Sequence, residues 1–204
     1  MIRPLLRLAA IGACALALSG CISLLPKSKP AQLYRFGASP AAGPAAATAR
    51  PNGVSVFRTN GGFQGEASDD RILTMTGGKA AYIAESRWVA PADILFNEAV
   101  SNAFDASPVR LIARGQQGRF AYALRTDVRT FETRYDSGPN AAPTVVVRVH
   151  AALTRSDQSS VGEQDFEARV PAGDNRVGEI VAAYNKAVSE VLGKLVSWTE
   201  ASAT

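Results

Sequence analysis

Thiols and imidazoles are nearly missing: Cys14 and Cys21 are the only cysteines, and His150 is the only histidine, in 204 residues. So few cysteines cannot build a disulfide framework. One imidazole and no thiol pair also leave no metal centre of the usual zinc type. His150 lies between Val149 and Ala151 on an alternating strand pattern. No serine or cysteine nucleophile motif accompanies it, so it reads as a structural or exposed imidazole rather than a base. Glycine-rich signals fail as well. Thr76-Gly77-Gly78-Lys79 lacks the glycine and the Ser/Thr that a phosphate loop needs, having Leu73 and Ala80 there. Gly61 to Gly65 has the wrong spacing for a dinucleotide fingerprint. The acid pairs Asp69-Asp70 and Glu163/Asp165 read as solvated loop acids. No charge run argues for nucleic acid. These absences predict no catalytic residue, no cofactor and no metal.

What is present begins at the amino terminus. Arg3 and Arg7 precede an uncharged apolar run over 8–18. A short basic segment followed by a short apolar one has the layout of an export signal, too short for a stable membrane span. The run ends in Leu18-Ser19-Gly20-Cys21, which resembles the lipobox of bacterial lipoproteins. That pattern predicts removal of residues 1–20 and lipid on the Cys21 thiol. Cys14 would leave with the signal. The remaining 184 residues would carry 20 basic groups against 18 acids, lowering the net charge from +4 to +2. No second apolar stretch is long enough to cross a bilayer.

Residues 21–32 read as a lipidated tether, 33–200 as one domain and 201–204 as a tail. Leu33-Tyr34-Arg35-Phe36 is a strand candidate. Residues 37–53, rich in Ala, Pro and Gly, read as a flexible insertion. Gly77-Gly78 between two apolar runs predicts a hairpin. Pro91 opens a helix whose buried face is Leu95, Ala99, Ala103 and Phe104.

Phe120, Tyr122, Leu124, Thr126 and Val128 then alternate with polar or small residues, and Phe131 breaks the parity. That predicts a long strand with a bulge near 129–130. Further alternating runs over 145–153 and 166–170 complete an antiparallel meander. Asp174 is placed to cap a last helix, with Val177, Val181, Tyr184, Val188, Val191, Leu195 and Trp198 on one stripe. If buried, Trp198 would lose about 3–5 kcal/mol on truncation to Ala. The fold expected is α+β: a mostly antiparallel sheet with long meander strands and two helices packed on one face. The length of residues 120–153 further predicts strands that protrude, with a partner surface at the 136–143 tip.

Taken in order, Cys21, Leu33-Tyr34-Arg35-Phe36, Asp70-Arg71-Ile72, Tyr82, Arg87-Trp88, the helix through Leu95 and Phe104, Tyr122-Ala-Leu124 to Phe131-Glu132, and the helix ending in Trp198 resemble the ABC-type transport auxiliary lipoproteins, PqiC/YmbA-like. The resemblance implies a non-catalytic partner of an MCE-domain protein and an ABC permease and ATPase that move lipids between membranes. It also makes a ring-like homo-oligomer an expectation. Ile22 rather than Asp after the cysteine points to the periplasmic face of the outer membrane. The alternative is a periplasmic lipoprotein that activates a peptidoglycan synthase. A tether of about a dozen residues reaches under about 45 Å, which favours a domain kept near its own membrane.

Overall fold

Among the described residues, eight strands and two α-helices follow one another: β1 (Gln32–Tyr34), β2 (Ser55–Arg58), β3 (Arg71–Thr76), β4 (Lys79–Trp88), α1 (Ala92–Asp105), β5 (Arg110–Ile112), β6 (Tyr122–Arg134), β7 (Thr144–Arg155), β8 (Ser160–Pro171) and α2 (Val177–Ser202). A computed structural model describes residues 30–37, 53–113, 115–116 and 118–203. The chain divides into two units, Met1–Pro30 and Ala31–Thr204, and every element named belongs to the second. The insertion predicted at 37–53 lies, apart from Gly37 and Gly53, outside the described residues.

Strand β6 organises the sheet. One of its edges is given along its length to antiparallel β7, which pairs in turn with antiparallel β8. Its other edge is shared. β2 runs parallel to its first residues, with Val56 beside Tyr122, and β5 is parallel outside β2. β3 runs parallel to its last residues, with Thr74 beside Thr133. Outside β3 come antiparallel β4 and then β1, parallel to β4. The fold is α+β as expected, but the sheet is mixed: four of the seven strand pairings are parallel. The meander and the β3–β4 hairpin account for the antiparallel part. The parallel pairings involve short strands whose partners lie far away in the sequence, so local alternation gave no sign of them.

The parity break at Phe131 is a bulge. Register shifts between Val128 and Thr130, so Leu124, Thr126 and Val128 face inward before it, and Phe131 and Thr133 after it. Inside, the Phe131 ring lies 4.8 Å from Tyr184, 5.0 Å from Phe36 and 5.3 Å from Phe63. Trp88 and Phe96 stand edge-on to it at 6.5 Å. One ring thus touches side chains from both helices, so both lie on one face of the sheet. Tyr184 is fully buried and its hydroxyl lies 3.2 Å from Thr133 Oγ1, which gives it the partner a buried phenol needs. Burial pushes that phenol well above its ordinary pKa.

Three expectations are corrected. Asp174 does not cap α2; Arg176 holds the cap position without a side-chain bond, and Asp174 pairs with it at 3.0 Å. The helix runs on to Ser202, into the expected tail. Trp198 is half-buried, edge-on to Phe166 at 5.8 Å, while Thr199 takes the buried place at the end of the stripe. The full core cost predicted for Trp198 therefore does not apply.

The meander does not protrude at residues 136–143 either. The Tyr135 hydroxyl lies 2.8 Å from Asn175 Oδ1, and Asn175 Nδ2 donates to the Pro139 carbonyl at 3.1 Å, tying the turn to the segment before α2. Long strands do not need to overhang here. The 26 residues of α2 span about 39 Å at 1.5 Å each, close to the roughly 40 Å of the 12-residue β7.

Candidate interaction surfaces

With the helices on one face, the other face of β6, β7 and β8 carries the polar half of each alternation. His150 lies opposite Asp127 and Asp165, with Nδ1 3.3 Å from Asp165 Oδ1 and Nε2 3.4 Å from Glu163 Oε2. Arg148 donates to Asp165 at 3.1 Å, and Arg129 approaches it at 3.5 Å. The Arg148 hydrogen bond holds the Asp165 carboxyl below the usual carboxylate range, outweighing a smaller burial effect, and the charges of Arg129 and His150 add to it. Glu163 and Asp165 are strand residues, not the loop acids expected. Exposed pairs of this kind contribute about 0.2–1 kcal/mol each, so the lattice sets the character of the surface more than its stability.

At the far side of the sheet the β3–β4 hairpin leaves an open edge. Gly77 and Gly78 have φ of +52° and +81°, the pair of left-handed residues that a tight two-residue hairpin requires. This confirms the predicted hairpin. Beyond it, β1 covers only Ser86 to Trp88 of the ten-residue β4. Glu85, at φ +54°, sits in the interruption between the Leu73–Tyr82 and Arg71–Arg87 pairs. Among the described residues, nothing pairs with the outer edge from Lys79 to Ala84.

The alternation can be followed residue by residue. Tyr135 N–H donates to the Met75 carbonyl at 2.8 Å, so Met75 faces β6, and Thr74 and Thr76 face β4. Across the ladder, Lys79 and Ala81 point their backbone groups back at β3, and Ala80 and Tyr82 point theirs outward. The edge is apolar, Ala80-Ala81-Tyr82-Ile83-Ala84, and Tyr82 is held by its hydroxyl on the Glu66 carbonyl at 3.0 Å and by Arg71 stacked 3.8 Å over its ring. An unpaired apolar edge is a ready template for another strand.

A third feature is a loop that closes the sheet between β2 and β3. Gln64 accepts the Phe131 N–H at 2.7 Å through Oε1 and donates to Glu132 at 3.2 Å through Nε2. It therefore satisfies both the bulge and the one buried carboxylate among the described residues, Glu132, which is 8% exposed. Sequence reasoning missed Gln64, because nothing in a loop glutamine announces that it faces a bulge. The Gly61-Gly62 doublet just before it was the available signal of close backbone approach.

Cys21 and the lipobox residues Leu18, Ser19 and Gly20 lie outside the described residues. Among the described residues no helix is long and apolar enough to cross a membrane, and no three His, Cys, Asp or Glu side chains gather as metal ligands.

The family model described as ABC-type transport auxiliary lipoprotein component matches residues 66–196. The chain belongs to this family. The match runs from the 3-10 turn at Gly65–Ala67 into α2, taking in the hairpin, α1 and the whole meander. The protein is thus a lipoprotein component of an ABC-type transport system of the cell envelope. Solved structures share the fold of this auxiliary lipoprotein. A DUF330-family protein from Xanthomonas campestris has 24% identity and a TM-score of 0.69, over 84% of this chain and 96% of that one. An uncharacterized protein has 11% identity and a TM-score of 0.62, over 83% and 99%. A hypothetical protein from Chlamydia trachomatis has 10% identity and a TM-score of 0.51, over 74% and 98%. No protein with a curated description matches.

Proposed function

We propose that this auxiliary lipoprotein is the non-catalytic interaction component of an ABC/MCE-type intermembrane lipid transport system, held by lipid on Cys21 at the periplasmic face of the outer membrane. The observation that carries the reading is the family match, which spans six of the eight strands, α1 and most of α2 rather than one short motif. The run Leu18-Ser19-Gly20-Cys21-Ile22 supports the anchor and its destination. Replacing Cys21 with Ser is expected to abolish palmitate labelling and to move the protein out of the membrane fraction. Unchanged labelling would sink the anchor.

The partner surface best suited to a polypeptide is the open edge of β4. Strand addition there would use the backbone groups of Ala80 and Tyr82 for affinity, and the exposed Tyr82 ring and Lys79 for choice of partner. The occupant is an extended segment of the MCE-domain protein. Proline at position 80 removes an outward N–H and leaves the ladder to β3 intact, the position where an edge strand tolerates it. Ala80→Pro is therefore expected to lose co-purification of the MCE protein while melting within a few degrees of wild type. Capture at the wild-type level by a folded Ala80→Pro protein would rule the edge out.

A further inference from the structure

Arg58 stands apart from the other half-buried arginines. Arg71, Arg134 and Arg148 each have a carboxylate within 4.0 Å. Arg58 has none among the described residues; it donates to the Asn97 carbonyl at 3.0 Å and to the Asn97 side-chain oxygen. A guanidinium has five donors, so most of its capacity is left over. It lines a pocket of about 380 Å³ between the loop after β2 and the start of α1. Burial lowers its pKa, the sign of a cation stripped of water without an anion in exchange.

The same pocket is lined by Asp93, half-buried in the first turn of α1 and in no ion pair among the described residues. One Asp93 oxygen accepts the Ile94 N–H at 2.7 Å. Opposite charges that share a pocket and do not pair with each other fit a ligand that carries both. Phe63, Phe96 and Val128 give the pocket an apolar side that suits a short alkyl link.

We propose that this pocket binds a small zwitterionic group, its phosphate or carboxylate on Arg58 and its ammonium toward Asp93. The site is independent of the partner reading above, since it belongs to the isolated folded chain. One chemistry has two sources here: a free phosphoethanolamine-like solute, or the same group at the head of a lipid.

The test is titration of the purified full-length chain, carried as Cys21→Ser so that no lipid anchor inserts it into vesicles, with O-phosphoethanolamine and with inorganic phosphate, followed by amide shifts, and flotation with vesicles of phosphatidylglycerol with or without phosphatidylethanolamine. Phosphoethanolamine should bind more tightly than phosphate and shift the amides of Gly61, Gly62 and Asn97. Arg58→Met should weaken it by roughly tenfold or more, and Arg58→Lys should restore part of the loss. Asp93→Asn should erase the preference over phosphate while the fold is unchanged, which decides the matter even if Arg58→Met fails to fold. A gain in flotation from phosphatidylethanolamine, lost in Asp93→Asn, would assign the lipid source; solute binding without that gain would assign the free one. Failure of both probes to bind, or Asp93→Asn behaving as wild type toward both, would overturn the site.

Discussion

Truncation of Phe131 to Ala is expected to lower stability by about 3–5 kcal/mol. The side chain is 1% exposed and makes ring contacts with Phe36, Phe63, Trp88, Phe96 and Tyr184. Those five come from the chain after β1, the loop after β2, β4, α1 and α2. No single element can relax into the space, because each is held by its own neighbours, so most of the cavity should persist. The loss of edge-on and tilted ring contacts adds to the loss of buried area. Urea unfolding followed by tryptophan fluorescence would measure it, with Trp88 reporting from the same cluster. A loss below about 1.5 kcal/mol would mean that the ring is not the keystone these contacts make it.

The second large effect is expected from adding a single methyl group. A Cβ at Gly61 would lie 1.7 Å from the Thr126 carbonyl oxygen and 2.5 Å from its carbon. Those atoms are backbone of β6 and cannot swing away. Gly61→Ala should push the loop off β6, disturbing the Thr59-to-Leu124 and Val128-to-Gly62 backbone bonds, at 2.9 Å each, and the Phe63–Val128 bridge. Gln64 would lose its place on the bulge as a result. A cost of about 3 kcal/mol is expected, at the upper end for an overpacked site. Gly193, inside α2 with nothing within 4 Å of its added Cβ, is the internal control. Alanine there should stabilise by about 0.5–1 kcal/mol through helix propensity. Equal effects at the two glycines in the same melting experiment would refute the steric argument.

Legibility in the sequence followed the range of the interactions. The meander, the Gly77-Gly78 turn, the bulge before Phe131 and the stripe of α2 are all written in spacings within a few residues, and each was readable. The stripe's end was misread because Trp198 and Thr199 are adjacent, and hydrophobicity favoured the wrong one. Parallel pairing was not readable, because three residues such as Gln32–Tyr34 do not encode that Ser86–Trp88 lies beside them. The pocket was less legible still. Arg58 and Asp93 are 35 positions apart and each is an ordinary surface residue type. Only the fold shows that they share a pocket and that, among the described residues, neither has a partner of opposite charge. The protruding tip failed on geometry: strand length was taken without the length of the helix lying across it.

The shared edge of β6 also dictates an order of events as the chain is made. Residues of β2 and β3 leave the ribosome well before β6, the strand both must lie against. β3 can wait as a hairpin with β4, since two glycines close it locally. β2 has no such nearby companion, for its partners begin with Arg110 and Tyr122. The carboxy-terminal part is different: β6, β7, β8 and α2 follow one another with short connections and few distant contacts. Segments of that kind condense quickly, and distant pairings wait for loop closure. The part of the chain from β6 onward is therefore the template on which the first part assembles, and a nascent chain cut short before residue 122 lacks the strand that joins β2 to β3.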